Sequence, residues 1–344
     1  TWVVLAEMAT AFIGFGVWVH HMFATDLPAT AVSFISLTSF LVAIPSGIQV
    51  FAWLATLVTG KPILRTPMLF ILGFLAIFVI GGVSGVMFAS VPFDQATTDS
   101  YFVVAHFHYI MAGVAIFPAF AAIYYWGPKI WGKLLHDGWG KVSFWLMFIG
   151  FNLTFFPMHL LGLLGMPRRI YTYQQGLGWD GYNLWETIGT FLMGTGILVT
   201  VFNWAWARRH GQDAGNDPWH AETLEWATTS PPPEYDFETI PEVHGLHPVW
   251  DQPELRDGAQ PPELGGRPLA SGHRILSTSM LDATPEAVID LPKESLWPLW
   301  LTVGLTVLSY AALAQLAVLA VASGAFCLIS IVGWLWPRGQ TQEM

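Results

Sequence analysis

A series of apolar runs, each about 20 residues or longer, limits this chain more than any other feature. They cover about 2–23, 30–58, 67–91, 100–126, 142–165 and 182–207. Coiled as helices, runs of that length match the ~30 Å hydrocarbon core of a bilayer. Lipid offers no water to backbone N–H and C=O groups, so each spanning segment must close its own hydrogen bonds. The runs therefore predict an all-α, polytopic transmembrane bundle and argue against a string of soluble domains. Composition agrees: 53% of residues are hydrophobic, 11% are charged, and mean hydropathy is +0.50. The single cysteine, Cys327, lies in an apolar run, so the chain can form neither an internal disulfide framework nor a thiolate cluster. No nucleic-acid partner is expected; the medium is lipid.

Basic residues in the loops give an orientation. Lys61, Arg65, Lys129, Lys133, Lys141, Arg208 and Arg209 fall at one set of span ends, and only Arg168 and Arg169 fall at the other. The positive-inside rule puts the first set on the inner side. Residues 1–207 form a six-helix block. Residues 208–295 are rich in Pro, Gly and acids, as in SPPPEYDFETIPE, and predict an extended inner-side linker with little core of its own. Residues 296–337 are apolar again for about forty positions, roughly 60 Å if coiled straight, so a two-helix hairpin is expected, turning near Ala314–Gln315, before a tail at 338–344. That makes about eight spans. The chain starts on Thr1 directly in apolar sequence with no signal-peptide pattern, as expected of a fragment, a processed product or half of a split protein.

Three unusual residue sets then converge on one depth. His20 and His21 end span one at its outer end, His106 and His108 sit in the early turns of span four, and Arg168 and Arg169 follow span five. Ionisable groups in spans are costly and usually functional. Neutral imidazole ligates copper and haem iron, and guanidinium forks bind carboxylates such as haem propionates. In VVAHFHYI the two histidines are two residues apart, about 200° around a helix, so if both are ligands they serve two different centres on either side of it. Singly, each feature has a plainer reading: a core histidine, or an arginine anchored at the interface. His159, in FFPMHLLG, is read as structural. Together the sets point to a dihaem or haem–copper site.

The strings VWVHHMF, AIPSGIQVFAWLATL, VVAHFHYI, FNLTFFPMHLLGLLGMPRR and EWATTSPPPEY carry a closer likeness. In that order, over 1–248, the chain resembles the second half of subunit I of haem–copper terminal oxidases of the cytochrome c oxidase kind. Residues 249–344 are expected to lie outside the minimal family core, the terminal hairpin being a fused accessory element. The resemblance implies that His20 and His21 bind copper. It makes His106 axial to the high-spin haem, where oxygen binds, and His108 axial to the low-spin haem, both haems expected to be A-type. It gives Arg168 and Arg169 the propionates and Asp99 an outer magnesium. It implies four-electron reduction of dioxygen coupled to proton pumping, in a bacterial plasma membrane. It implies as partners the first half of subunit I, a copper-carrying subunit II, subunit III, lipid, and cytochrome c as donor. A quinol oxidase, a nitric oxide reductase and a non-catalytic dihaem electron-transfer or assembly subunit are the alternatives, and a transporter with structural histidines stands behind them.

Some family features are missing or altered. The third copper histidine with its linked tyrosine, the other low-spin ligand and a proton-conducting glutamate belong to the first half. Thr98 stands where relatives carry a histidine beside Asp99, which weakens the magnesium expectation. Gln49 stands where most relatives have a proton-conducting lysine, although Ser46 is retained. Glutamine cannot ionise, so we advance the hypothesis that Glu7 replaces it. The two lie at similar depth, about 25 Å and about 28 Å below the outer ends of their spans at 1.5 Å per residue. If so, Glu7→Gln slows turnover and proton uptake together; unchanged rates in a stopped-flow proton-uptake assay would refute the substitution.

Overall fold

The computed structural model describes residues 1–234, 237, 241–258, 274–282, 284–291, 295–336 and 342–343. Two compact units result, Thr1–Ala214 and Gly215–Met344. Among the described residues, seven helices are long and apolar enough to cross a membrane, and an eighth, Trp297–Leu313, is apolar but 17 residues long. The protein is an all-α integral membrane protein, as its apolar runs require.

In the first unit, α1 (Trp2–Gly16) tightens into a 3₁₀ turn over Trp18–Met22. Span two is read from sequence as one run, but it breaks at Val42 into α2 (Ala29–Leu41) and α3 (Ala43–Thr59). Pro45 explains the break: it has no N–H for the carbonyl of Leu41, and its ring crowds that position. A single helix follows, α4 (Thr66–Ala89), then the short α5 (Val91–Thr97). Span four is composite, with α6 (Tyr101–Phe107), a π-helical turn over His108–Gly113, and α7 (Val114–Trp131). The widened turn begins at His108 and falls one turn before Pro118, which cannot donate to Val114. The unit closes with α8 (Asp137–Leu163) and α9 (Asp180–His210).

Aromatic packing fills the middle of this unit. Phe70, Ile77, Tyr109, Phe117, Tyr124, Phe144, Met147 and Phe151 form one buried cluster from α4, span four and α8. Lipid tails are as apolar as these side chains, so burial alone gives helices little reason to associate; close packing and interhelical hydrogen bonds must do it. The α8–α9 contact shows both. A Cβ added at Gly150 would stand 2.7 Å from the carbonyl oxygen of Gly189, and one at Gly189 would stand 2.6 Å from the amide nitrogen of Thr154. Farther along the contact, the hydroxyls of Ser143 and Thr200 meet at 2.7 Å, and the Tyr124 hydroxyl joins Thr200 at 3.1 Å.

Both ends of the unit are tied by short polar bonds. At one end Asp137 Oδ1 accepts from the backbone N–H of Thr66 at 2.9 Å and from its hydroxyl at 2.8 Å. A side chain of α8 thus satisfies one of the open donors at the start of α4. Asn203 bonds both backbone groups of His136, at 3.0 and 2.9 Å. At the other end α8 stops in a Schellman motif. Gly165 takes φ +86°, its N–H reaches Gly162, and the N–H of Met166 reaches Leu161 at 2.9 Å. The sequence LLGMPRR encodes this stop, with glycine at the left-handed position and proline two residues later. The exit aims residues 166–168 at the start of span four, where Tyr101 N–H donates to Met166 and Arg168 N–H donates to Asp99, both at 2.9 Å.

The second unit departs from the extended linker expected of it. Ala227, Val249 and Leu255 are buried together, and Trp226 is fully enclosed. The elements are a 3₁₀ turn over Leu224–Ala227, the one-turn α10 (Pro248–Asp251) and a 3₁₀ turn over Pro253–Gly258. Strands β1 (Arg274–Thr278) and β2 (Pro285–Asp290) pair antiparallel, with the two-residue β3 (Gln342–Glu343) beside β2. Hence the Pro-rich composition hides a small core built from scattered apolar residues, which a composition window averages away. Helices α11 (Trp297–Leu313) and α12 (Ala317–Leu335) pack together, with Gly304 against Cys327 and Phe326. The turn between them is again a Schellman motif, with Gln315 at φ +56° and Leu316 N–H on Ala311 at 2.8 Å.

The glycine contact yields a direct test. Gly150→Val should destabilise the bundle by about 1–3 kcal/mol or block assembly, because the added atoms meet backbone that cannot yield. Gly194→Ala, where nothing lies within 4 Å, should leave the thermal midpoint of the detergent-purified complex unchanged. Equal midpoints for both variants would contradict the close-packing account.

Candidate functional site

The adjacent histidines stand in the 3₁₀ turn that ends span one. Successive residues of a helical turn point about 100–120° apart, so it is the side-chain conformations that bring their rings to 4.3 Å, edge to face, with Nε2 to Nε2 at 3.1 Å. The tautomer of His20 follows from its other nitrogen. Ser39 Oγ donates to the carbonyl of Ile35 at 2.7 Å, so at 3.0 Å it can only accept from His20 Nδ1–H. The Nε2 of His20 is therefore a lone-pair donor directed at its neighbour.

Span four treats its two histidines alike. His106 Nδ1 meets Ser84 Oγ at 2.8 Å, and that hydroxyl donates to the carbonyl of Gly81 at 2.8 Å, so the serine accepts from Nδ1–H. His108 Nδ1–H donates to the carbonyl of Val104, also at 2.8 Å. Each Nε2 is left free to bind. The surroundings differ. His106 faces α4, beside Phe88 and with its Cε1 3.1 Å from where a Cβ on Gly85 would stand. His108 lies flat against Phe155 of α8, ring centroids 4.2 Å apart. The field of His106 is felt together with those of His20, His21 and His159, and that of His21 with Arg168, which places these groups at one end of the unit. His159 Nδ1–H donates to the carbonyl of Phe156 at 3.2 Å, and its ring meets Phe102 edge to face.

The arginine pair divides its work. Arg168 forks onto Asp99 Oδ1, with Nη2 at 2.5 Å and Nε at 2.7 Å. Arg169 is exposed, at φ +66°, and Asp99 is exposed, at φ +56°. Both are held in the left-handed region, which costs a non-glycine residue energy, so the loop–loop bridge between Ser100 and Pro167 must hold them there. Asp94, on α5, is buried beside this pair. Burial first, then the charge of Asp99, pushes its carboxyl up to about 6.

Among the described residues no hydrogen bond joins the proton-path residues Glu7, Ser46 and Gln49. Gln49 is buried within the unit and Ser46 half-buried, but Glu7 lies on the exposed face of α1. Several polar residues at the site escaped sequence reading. Ser39 and Ser84 look like ordinary small residues in apolar runs; only the chain fold brings them to histidines 19 and 22 positions away. Glu186 did carry a signal, as a lone acid inside span six.

The donor set fits the metals that the motifs imply. Two imidazole nitrogens about 2.0 Å from one ion and 3.1 Å apart would subtend roughly 100°, between square-planar and tetrahedral values. Among the described residues no third His, Cys, Asp or Glu joins such a group, so this chain offers two ligands and not a complete cage. The Nδ1 bonds of His106 and His108 supply the orientation that metal-binding histidines normally receive from outside the coordination sphere. Gly85 makes room for the His106 ring itself, since a Cβ there would stand 3.1 Å from Cε1.

Comparison with known proteins supports the same identification. The family described as cytochrome c and quinol oxidase polypeptide I matches residues 1–192. Cytochrome c oxidase subunit 1 of Bacillus subtilis (strain 168) is 42% identical over 308 residues, 89% of this chain and 46% of that protein. The putative cytochrome c oxidase subunit 1-beta of Streptomyces coelicolor is 44% identical over 248 residues, 72% of this chain and 43% of that one. A solved haem–copper terminal oxidase dimer overlaps 57% of this chain and 40% of its own, with TM-score 0.49 and 21% identity. An alignment of 308 residues reaches past position 248, so part of the C-terminal region, expected to fall outside the likeness, has a counterpart in the Bacillus protein. The chain spans a little under half the length of these curated relatives. With its paired histidines, oriented imidazoles and matching sequence, this chain belongs to the cytochrome c and quinol oxidase polypeptide I family.

Proposed function

We propose that this chain is part of the catalytic subunit of a proton-pumping respiratory terminal oxidase that reduces dioxygen to water with electrons from cytochrome c. The observation that carries the reading is the fixed tautomer of His106 and of His108, on alternate residues of one span that look toward α4 and α8. Haem and copper are the cofactors of the family. When bound, they supply electron storage and oxygen-binding chemistry that no side chain here can provide.

The protein's own contribution is binding, orientation and charge. His20 and His21 would hold copper, with Ser39 keeping the His20 lone pair outward. His106 would ligate the high-spin haem and His108 the low-spin haem, both A-type, so that only the width of one helix separates the two centres. Ser84 and the carbonyl of Val104 keep each ring in register. Arg168 and Arg169 would meet the propionates; the Arg168 fork is presently on Asp99, so the two acids compete for it. Asp99 is also the candidate for an outer magnesium. Phe88 beside His106 and Phe155 beside His108 give apolar walls, and a charge interaction is stronger wherever such walls keep water out. The remaining ligands come from the first half of the subunit. Subunits II and III, cytochrome c and lipid complete the assembly, in a bacterial plasma membrane.

Optical spectroscopy of the purified complex tests this. The reduced-minus-oxidised spectrum should contain two haem signals, only one of which shifts with carbon monoxide. Two signals that both ignore carbon monoxide would leave an electron-transfer subunit, and no haem at all would end the reading. In the same assay Ser84→Ala should loosen the carbon monoxide-sensitive centre, lowering its occupancy or activity by about tenfold or more, and spare the other. Equal loss of both signals would contradict the assignment of His106 to a separate centre.

A further inference from the structure

Span six buries an acid that the roles above leave unused. Glu186 lies within the first two turns of α9 and is only 7% exposed. Its Oε1 is enclosed and, among the described residues, has no hydrogen-bond partner. This chain's own atoms do the enclosing, so a group from another subunit cannot reach that oxygen without displacing them. Among the described residues no cation pairs with it. Buried carboxyls are rare in spans and ordinarily paired, and one without a partner calls for an explanation.

Among the described residues, the elements around Glu186 bring no hydrogen bond to its Oε1 and no ion pair to its carboxylate. From α8 comes Thr154, whose hydroxyl is committed to backbone, to Gly150 at 2.7 Å and, more weakly, to the Glu186 carbonyl at 3.4 Å. From α6 comes Tyr101, and from the loop before α9 comes Tyr173; these are the titratable groups that share a field with the Glu186 carboxyl. Both tyrosines belong to the apolar cluster around Leu161, Met166 and Trp179. Asp180 and Asn183 lie beside the Tyr173 hydroxyl. Residues 180, 183 and 186 climb one side of α9 from an exposed aspartate to the buried glutamate. Tyr101 precedes His106 by five residues, about 7.5 Å of helix rise. Glu186, six residues or about 9 Å into α9, thus shares a field with Tyr101 on the helix that carries His106 and with Tyr173 beside Asp180 at the start of α9.

An unpaired carboxylate is costly in such a place, so whether Glu186 holds a proton depends on the charge that appears near it. Resting on the oxidase reading above, we propose that Glu186 is a redox-linked proton-holding site, loaded when an electron enters the histidine-bound centres and unloaded past Tyr173 and Asp180 when it leaves. The step is a carboxylate and a proton becoming a carboxylic acid. No electron passes through the residue. The electron comes from the oxidase's one-electron donor, and the proton from water and back to water.

Infrared difference spectroscopy of the complete complex, reduced with dithionite against oxidised, tests this without relying on turnover. The wild type should show a carboxylic acid carbonyl band that shifts in heavy water. Glu186→Gln should abolish that band while the haem optical signals stay intact, and Glu186→Asp should displace it. The same band unchanged in Glu186→Gln would overturn the proposal, leaving Glu186 a static core residue. If Glu186→Gln does not assemble, the Asp variant decides: a displaced band supports the site, an unmoved one overturns it. Absence of any haem signal in the wild type would instead defeat the oxidase reading on which the proposal stands.

Discussion

A polar group left unpaired in hydrocarbon costs several kcal/mol, and the arrangement of this protein follows from avoiding that cost. The backbone complies by coiling into helices. Side chains comply by bonding to backbone carbonyls close by, as Ser39 does to Ile35 and Ser84 to Gly81. Because those serine protons are committed, the same oxygens can only accept from the imidazoles of His20 and His106. One requirement of the bilayer thus becomes a device that sets the tautomer of two candidate ligands.

The ends of the first unit hold this geometry. The Schellman exit of α8 sends Met166–Arg168 back across the start of span four, where two backbone hydrogen bonds and the Arg168–Asp99 ion pair clamp the loops. A surface ion pair alone contributes little; this one is backed by the left-handed conformations at Asp99 and Arg169, which only a well-determined loop would sustain. At the opposite end Asp137 and Asn203 tie α4, α8 and α9 through backbone groups. Between the ends, aromatic rings and glycine contacts fix the spacing of α8 and α9, and with it the position of Phe155 under His108.

Much of the fold was legible because membrane spans are a coarse signal: length and apolarity suffice, and neither depends on neighbours. Finer features were not. The break at Val42 follows from Pro45, a local cue. The π-turn at His108 and the 3₁₀ turn at Trp18–Met22 depend on what each segment packs against, and periodicity alone read both as plain helix. The small core around Trp226 was missed because its residues are scattered through polar, Pro-rich sequence and meet only after the chain turns. The unusual residues of the site, paired histidines and arginines, stood out as chemistry, but their serine partners did not, since serine in a span is common and its partner lies a helix away.

The sequence by itself determined that this chain crosses a membrane repeatedly, that its histidines come as an adjacent pair and an alternate pair, and that both pairs reach one end of the bundle. Those follow from the apolar period, chain length and residue spacing, which are properties of the chain alone. Only the tertiary structure decided which nitrogen of each imidazole is free, which helix each histidine faces, that Arg168 is on Asp99, that Gln49 is buried while Glu7 is exposed, and that Glu186 Oε1 is enclosed with no hydrogen-bond partner among the described residues. Each depends on atoms distant in sequence being brought within about 3 Å, or on their failing to arrive. Hydrogen bonds act only at that range, so no local reading of the chain can contain them.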